Sequence, residues 1–116
     1  ELEVFADYFK TEPTIEGLCS FLDQHFPMEI ICITRGAKGA ILYQKGKLIE
    51  HPGYKVKFQD SIGAGDAFLS GFVKTYLEER APEEILDFAC KLGGYVATQK
   101  GATPRYTEED VLREIR

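Results

Sequence analysis

The sequence predicts an α/β domain in which helices cover a small sheet, and three observations carry that expectation. Residues 29–34 hold a short, continuous apolar run, Ile30-Ile31-Cys32-Ile33, bounded by turn residues. Such a run marks a strand buried on both faces, as in a parallel sheet covered by helices. Two long segments after residue 63 repeat apolar residues at helical spacing: Phe68, Phe72 and Tyr76 in one, Ile85, Phe88, Ala89, Leu92 and Val96 in the other. The order helix, strand, hairpin, strand, helices belongs to a layered α/β domain, whose parallel core would draw on strands outside this chain.

Each element has its own local reason. Leu2, Phe5 and Phe9 make residues 1–9 helical. Thr11-Glu12-Pro13-Thr14 offers a hydroxyl cap and a proline suited to a first turn, so a helix over about 14–25 follows, stopped by Pro27. Arg35-Gly36-Ala37-Lys38-Gly39 is a turn, 40–43 a strand, 44–47 a hairpin turn and 48–50 the returning strand. Tyr54-Lys55-Val56-Lys57-Phe58 alternates apolar and polar residues, the pattern of a half-exposed strand. The helix after Gly65 carries Leu69, Val73 and Leu77 beside its phenylalanine stripe and is expected to be buried around much of its circumference. Pro82 opens the next helix and Gly101 ends it. Thr107-Glu108-Glu109-Asp110 resembles a capping box for a last helix through Arg116.

Composition narrows the function. The 116 residues fit one domain, 44% of them are hydrophobic, and the formal net charge is −5. A mildly acidic chain without a basic stripe has no electrostatic footprint for nucleic acid. No apolar run approaches the roughly 20 residues of a membrane helix, and the opening Glu1-Leu2-Glu3 is not a signal peptide. Cys19, Cys32 and Cys90 are scattered, which argues against a zinc site or a disulfide framework and suits a reducing cytoplasm. His25 and His51 lack a ligand set nearby and read as surface or helix-end residues. The chain opens inside a helical pattern without an initiator Met, so a piece of a longer protein is expected.

The chemistry concentrates in Asp60-Ser61-Ile62-Gly63-Ala64-Gly65-Asp66-Ala67-Phe68. Two glycines before a helix let the backbone turn sharply and approach a ligand. The first helical turn has N–H groups without internal acceptors, at the positive end of the helix dipole, and so favours an anion. Asp66 adds negative charge at that same point. The residues alone leave two readings open: a helix-capping carboxylate, or a base that takes a proton from a nucleophile while the N–H groups steady a transferred phosphoryl group. Neither the dinucleotide pattern GxGxxG nor the P-loop pattern is present.

This segment is similar to the signature of ribokinase-family (PfkB) carbohydrate kinases, D-T/S-x-G-A-G-D-x-F. Thr34-Arg35-Gly36-Ala37-Lys38-Gly39 resembles the family's T-x-G-x-x-G turn, and Lys100-Gly101-Ala102 its closing segment. The resemblance implies a ribokinase-like (Rossmann-like) three-layer α/β/α fold, of which residues 1–116 are the C-terminal, nucleotide-binding portion, with the sugar-binding half and lid absent. It implies ATP-dependent phosphorylation of a sugar hydroxyl, with Asp66 as catalytic base and the backbone of Gly63, Ala64 and Gly65 as anion hole. Thr34, Arg35, Gly36, Ala37, Lys38, Gly39, Gly65 and Cys90 would line the ATP site, Cys90 standing where some relatives set an Asn against the adenine. A monovalent cation, K+, would sit among Asp60, Ile62, Val96, Gln99 and Gly101. Mg2+ is implied with ATP, but the family's NxxE motif would end at or before Glu1, so no residue here is assigned to it. Fructose is the first acceptor to consider; ribose, 2-keto-3-deoxygluconate and nucleosides stay open. The alternatives are a non-catalytic nucleotide- or sugar-binding homologue and a fragment inactive by itself. The whole protein is expected to be a homo-oligomer, and the isolated piece to self-associate through exposed sheet edges.

Overall fold

A computed structural model describes residues 1–101 and 104–116. The elements are α1 (Leu2–Phe9), α2 (Ile15–His25), β1 (Ile31–Thr34), a single 3-10 turn (Gly36–Lys38), β2 (Ala40–Gln44), β3 (Lys47–His51), α3 (Ala64–Leu77), α4 (Pro82–Ala97) and α5 (Glu108–Glu114). The chain forms two compact units, Glu1–Cys32 with Leu42–Leu48, and Ile33–Ile41 with Ile49–Arg116.

In the first unit, Thr14 supplies the expected hydroxyl cap of α2 by accepting the Gly17 N–H at 3.0 Å, and Pro13 precedes the cap instead of sitting in the first turn. α1 ends where Lys10 turns into the left-handed region at φ 55°. Phe9 meets Phe21 at 5.1 Å between ring centres, so the two helices share an aromatic contact. His25 donates its Nδ1–H to the Phe21 carbonyl, 2.8 Å away, which bears out its helix-end role.

The described sheet has strand order β1-β2-β3. Lys45 and Gly46, at φ 52° and 75°, form the two-residue turn between β2 and β3 that right-twisted antiparallel strands favour. Residues 35–39 are too few for a parallel crossover, so β1 and β2 are antiparallel as well. This differs from the expected parallel pairing of the 29–34 run. The central strand is β2, with Ala40, Ile41 and Leu42 fully buried, while β1 is an edge whose Ile31, Cys32 and Ile33 are only half-buried. A continuous apolar run therefore marked the edge of the described sheet.

The second unit holds the helical core. Ala67, Leu92, Tyr95, Val96, Val111 and Ile115 are buried together, with Tyr54, Val56, Phe88 and Tyr106 packed against them. α3 is not buried all round: Ala67, Gly71, Phe72 and Thr75 face inward, whereas Leu69, Val73 and Leu77 are exposed. Thr75, the buried polar residue of this helix, satisfies its hydroxyl on the Gly71 carbonyl at 2.8 Å.

Segment 54–58 is not a strand; it has no ladder partner and runs in irregular conformation. Its alternation was nevertheless physical. Tyr54 and Val56 pack on the helical core, and Lys55, Lys57 and Phe58 are exposed, so period-two burial here comes from helices rather than from a sheet. α4 ends at Ala97, short of Gly101, because Thr98 folds its hydroxyl onto the Tyr95 carbonyl at 2.6 Å and the Gln59 N–H takes the Ala97 carbonyl at 2.8 Å.

α5 carries the capping box the sequence predicts. Asp110 donates its N–H to Thr107 Oγ1 at 3.2 Å, and the Thr107 N–H reaches Asp110 Oδ2 at 2.8 Å. Thr107→Ala removes this reciprocal pair and should cost about 1 kcal/mol. Urea titration of the variant is expected to show a lower midpoint with an unchanged slope.

Candidate functional site

The site begins with how residues 59–66 are held. The Gln59 and Asp60 N–H groups both donate to the Ala97 carbonyl, at 2.8 and 3.3 Å, which fixes the loop to the end of α4. Asp60 Oδ1 then accepts the Ile62 N–H at 2.9 Å, closing a small side-chain turn. Gly63 adopts φ 82°, a conformation that side-chain-bearing residues rarely take, and turns the chain into α3. The Ala67 N–H closes the first helical turn on the Gly63 carbonyl at 2.9 Å.

Of the three expected anion-hole residues, Gly63 makes the turn, and Ala64 spends its N–H on the Ser61 carbonyl at 3.1 Å. Gly65 and Asp66 stand in the first turn, where N–H groups have no intrahelical acceptor. Both are exposed, and a Cβ at Gly65 would meet nothing within 4 Å, so an incoming group has free approach to this backbone.

α4 sets where this turn lies. A Cβ on Gly93 would come within 3.2 Å of the Ala64 carbonyl and 3.3 Å of Phe68 Cβ. One on Gly71 of α3 would lie 3.1 Å from Leu92 and 3.3 Å from Phe88. The two helices therefore pack antiparallel at close range, the last turn of α4 beside the first turn of α3. Gly94 faces the other way, against Val56. None of these glycines was singled out from sequence; the Gly93-Gly94 pair in the middle of a strong helix was the available signal.

The turn 34–39 is built on a second close approach. A Cβ on Gly39, whose φ is 86°, would fall 1.9 Å from the His51 carbonyl and 2.4 Å from the Gly53 nitrogen. The Arg35 N–H closes the turn on the Gly39 carbonyl at 2.8 Å. Arg35 extends Nη1 toward Glu50 at 3.6 Å and Nη2 toward the His51 carbonyl at 3.4 Å, and its buried Nε has no hydrogen-bond partner among the described residues. Lys38 is exposed.

His51 is not the surface residue its isolation in sequence suggests. Its Nδ1 accepts the Gly53 N–H at 3.0 Å, so Nε2 carries the proton and donates to Asp87 Oδ1 at 3.1 Å. Tyr54 donates its hydroxyl to the same Asp87 oxygen, and Lys91 pairs with Oδ2 at 3.0 Å. Burial pushes the Asp87 carboxyl up, but the hydrogen bonds from Tyr54, Lys91 and His51 outweigh it and hold the group below the usual carboxylate range. Burial, reinforced by the bond to Asp87, holds the Tyr54 phenol well above its ordinary value. One turn along α4, burial and the nearby Asp87 charge push the Cys90 thiol up to about 11, partly countered by Arg35.

The candidate cation residues gather partway. The bonds to Ala97 bring Asp60 and Ile62 to the end of α4, where the Val96 carbonyl accepts the Gln99 N–H at 3.0 Å and the Gln99 side chain donates to Thr98 Oγ1. Gly101 follows in a left-handed conformation, and Ala102 lies outside the described residues. A surface groove of about 330 Å³ borders this corner, lined by Gln59, Thr98 and Gln99, and a second of about 380 Å³ borders Asp87 and Lys91; neither is lined by Asp66 or the turn 34–39.

Residues 5–109 match the model of the pfkB family carbohydrate kinases. The ATP-dependent ribose-1-phosphate kinase of Halopiger xanaduensis is 30% identical over 93% of this chain and 36% of its own length. Ribokinase from Thermotoga maritima superposes with a TM-score of 0.81 at 26% identity, covering 96% of this chain and 37% of that one. A fructokinase double mutant from Vibrio cholerae O395, in its fructose-, ADP- and potassium-bound form, gives a TM-score of 0.69 at 28% identity over 86% of this chain and 35% of that one. The chain thus spans about a third of the length of these relatives, and its fold is ribokinase-like α/β.

With its pKa near 11, Cys90 holds roughly one thiolate in a thousand at pH 8 and is walled in besides. Iodoacetamide at that pH should leave Cys90 unmodified in the native protein and label it fully in guanidinium, as peptide mass spectrometry would read.

Proposed function

The chain belongs to the pfkB family of carbohydrate kinases, and on that premise we propose that it supplies the catalytic base and the nucleotide side of an ATP-dependent sugar kinase. The observation that carries this reading is the 60–66 junction. An exposed carboxylate, Asp66, shares the first turn of α3 with backbone N–H groups that lack internal acceptors and face open space at Gly65. A capping carboxylate would be expected to use those donors for itself, and Asp66 has no hydrogen bond to them among the described residues.

In this reading Asp66 accepts the proton of a sugar hydroxyl, whose oxygen attacks the γ-phosphorus of ATP, and the bond to the β,γ-bridging oxygen breaks to release ADP. The first-turn N–H groups, with the positive end of α3 behind them, oppose the charge spread over the phosphoryl oxygens during transfer. Gly63, Ala64 and Gly65 form the anion hole, with the Ala64 N–H released from Ser61 when phosphate enters. Residues 34–39 and Cys90 line the nucleotide site. The orphaned Arg35 Nε fits a ligand acceptor there, since a buried donor without a partner is costly to leave so.

Among the described residues no group of three His, Cys, Asp or Glu stands ready to hold a metal. Mg2+ would enter with ATP and would supply positive charge to the phosphates, and no residue of this chain is assigned to hold it. Asp60, Ile62, Val96, Gln99 and Gly101 are the positions for K+, an oxygen-rich corner at the carbonyl end of α4. The relatives' names divide between ribose-1-phosphate, ribose and fructose, so the acceptor is proposed only as a sugar, with fructose tested first. Cytoplasmic residence and self-association of the whole protein belong to the same reading; no described helix is long and apolar enough to cross a membrane.

A coupled ADP-release assay on the full-length protein, with ATP, Mg2+ and a panel of fructose, ribose and ribose 1-phosphate, tests this. Sugar-dependent release is expected, with kcat about 10²- to 10⁴-fold lower in Asp66→Asn. The exposed Asp66 should leave Tm nearly unchanged. Full turnover in the Asn variant would remove Asp66 from the mechanism, and ATP binding without release for any sugar would favour a non-catalytic homologue.

A further inference from the structure

The turn 34–39 closes on itself through the Arg35 N–H on the Gly39 carbonyl, and beyond itself it leans on one corner of the chain. Its closing residue, Gly39, rests directly on the 51–53 corner, and the Cβ positions of Gly39 and Gly53 each point into the backbone of the other segment. The turn therefore lies where that corner lies. The corner reaches α4 through side chains: His51 and Tyr54 both donate to Asp87 Oδ1, while Lys91 holds the other oxygen at 3.0 Å. Lys91 also lies over the Tyr54 ring, 5.7 Å from its centre. Asp87 thus gathers three donors from two segments on a half-buried carboxylate, and it sits on the same helix that meets the first turn of α3 at Gly93.

We propose that Asp87 is a positioning residue for the nucleotide: through His51 and Tyr54 it fixes the turn 34–39 relative to α4, and hence to the phosphoryl-transfer turn at Gly65 and Asp66. This rests on the reading that residues 34–39 bind ATP. It assigns Asp87 no contact with substrate. Its effect is carried by the 51–53 corner, whose position the carboxylate sets.

Charge and hydrogen-bond count separate two substitutions of Asp87. Asp87→Ala leaves the His51 Nε2–H, the Tyr54 hydroxyl and the Lys91 ammonium without their shared acceptor, and the corner is then free to shift. Asp87→Asn keeps one carbonyl oxygen for His51 and Tyr54 and gives up only the ion pair with Lys91. Positioning therefore predicts that Ala is severe and Asn mild for ATP, with both mild for the sugar.

Calorimetric titration of the full-length protein with a non-hydrolysable ATP analogue, and separately with its sugar, tests the assignment. Wild type should bind the analogue. Asp87→Ala should weaken that binding about tenfold or more, as expected for loss of a half-buried acceptor shared by three donors. Asp87→Asn should stay within a few-fold, and sugar affinity should be unchanged in both. Val111→Ala, a core truncation between α4 and α5, serves as the stability control: it should lower Tm without changing analogue affinity. If Asp87→Ala lowers Tm like the control and leaves analogue affinity at the wild-type value, Asp87 is merely structural and the proposal falls, while the ATP reading stands. If wild type binds no analogue, the nucleotide reading falls first and takes this inference with it.

Discussion

The geometry of the site depends above all on how near α4 can come to the first turn of α3. Gly93 has no side chain to hold the two apart, and the Ala64 carbonyl and Phe68 lie within contact distance of where one would be. Gly71 repeats the arrangement a few turns on, against Leu92 and Phe88. Because the helices are antiparallel, this close packing brings the carbonyl end of α4 beside the N–H end of α3. The carbonyl end anchors the loop through Ala97, and the N–H end is left open at Gly65 and Asp66. Opposite ends of two helix dipoles meet in one corner.

The same helix is also tied to the other half of the site. Asp87 collects His51, Tyr54 and Lys91, and the 51–53 corner that they secure underlies Gly39. A half-buried carboxylate without partners would be costly; with three donors it is held charged, below the usual carboxylate range. The Cys90 thiol beside it is driven the opposite way by the same burial and by Asp87's own charge. It therefore stays a neutral, buried thiol. One environment keeps an acid ionised and a thiol protonated, according to whether hydrogen-bond donors reach each group.

What could be read in the sequence were the features whose cause is local. The Thr14 cap, the Thr107–Asp110 capping box and the Lys45-Gly46 turn depend on residues within a few positions of one another, and all three stand as their spacing predicts. The Asp60–Asp66 signature was legible for the same reason, being one contiguous segment. Segment 54–58 was misread because alternation reports which side is buried and not what buries it; Val56 packs on Gly94 of α4 rather than in a ladder. The end of α4 was placed too late because its stop comes from Gln59 and Asp60, far back in the chain, capturing the Ala97 carbonyl. His51 was underrated because its partner lies 36 residues away. The Asp87-to-Lys91 spacing on a helix was the trace of that node in the sequence, and His51-Pro52-Gly53 marked the corner it holds.

In the proposed function, α4 holds the nucleotide turn and the open first turn of α3 as two sides of one phosphoryl-transfer site. A crystal structure of the full-length protein with ADP, Mg2+ and aluminium fluoride tests it most directly. The nucleotide is expected along residues 34–39 beside Cys90, with the fluoride mimic accepting hydrogen bonds from the N–H groups at the start of α3 and facing Asp66. A nucleotide bound elsewhere, or a fluoride mimic out of reach of both Gly65 and Asp66, would contradict it.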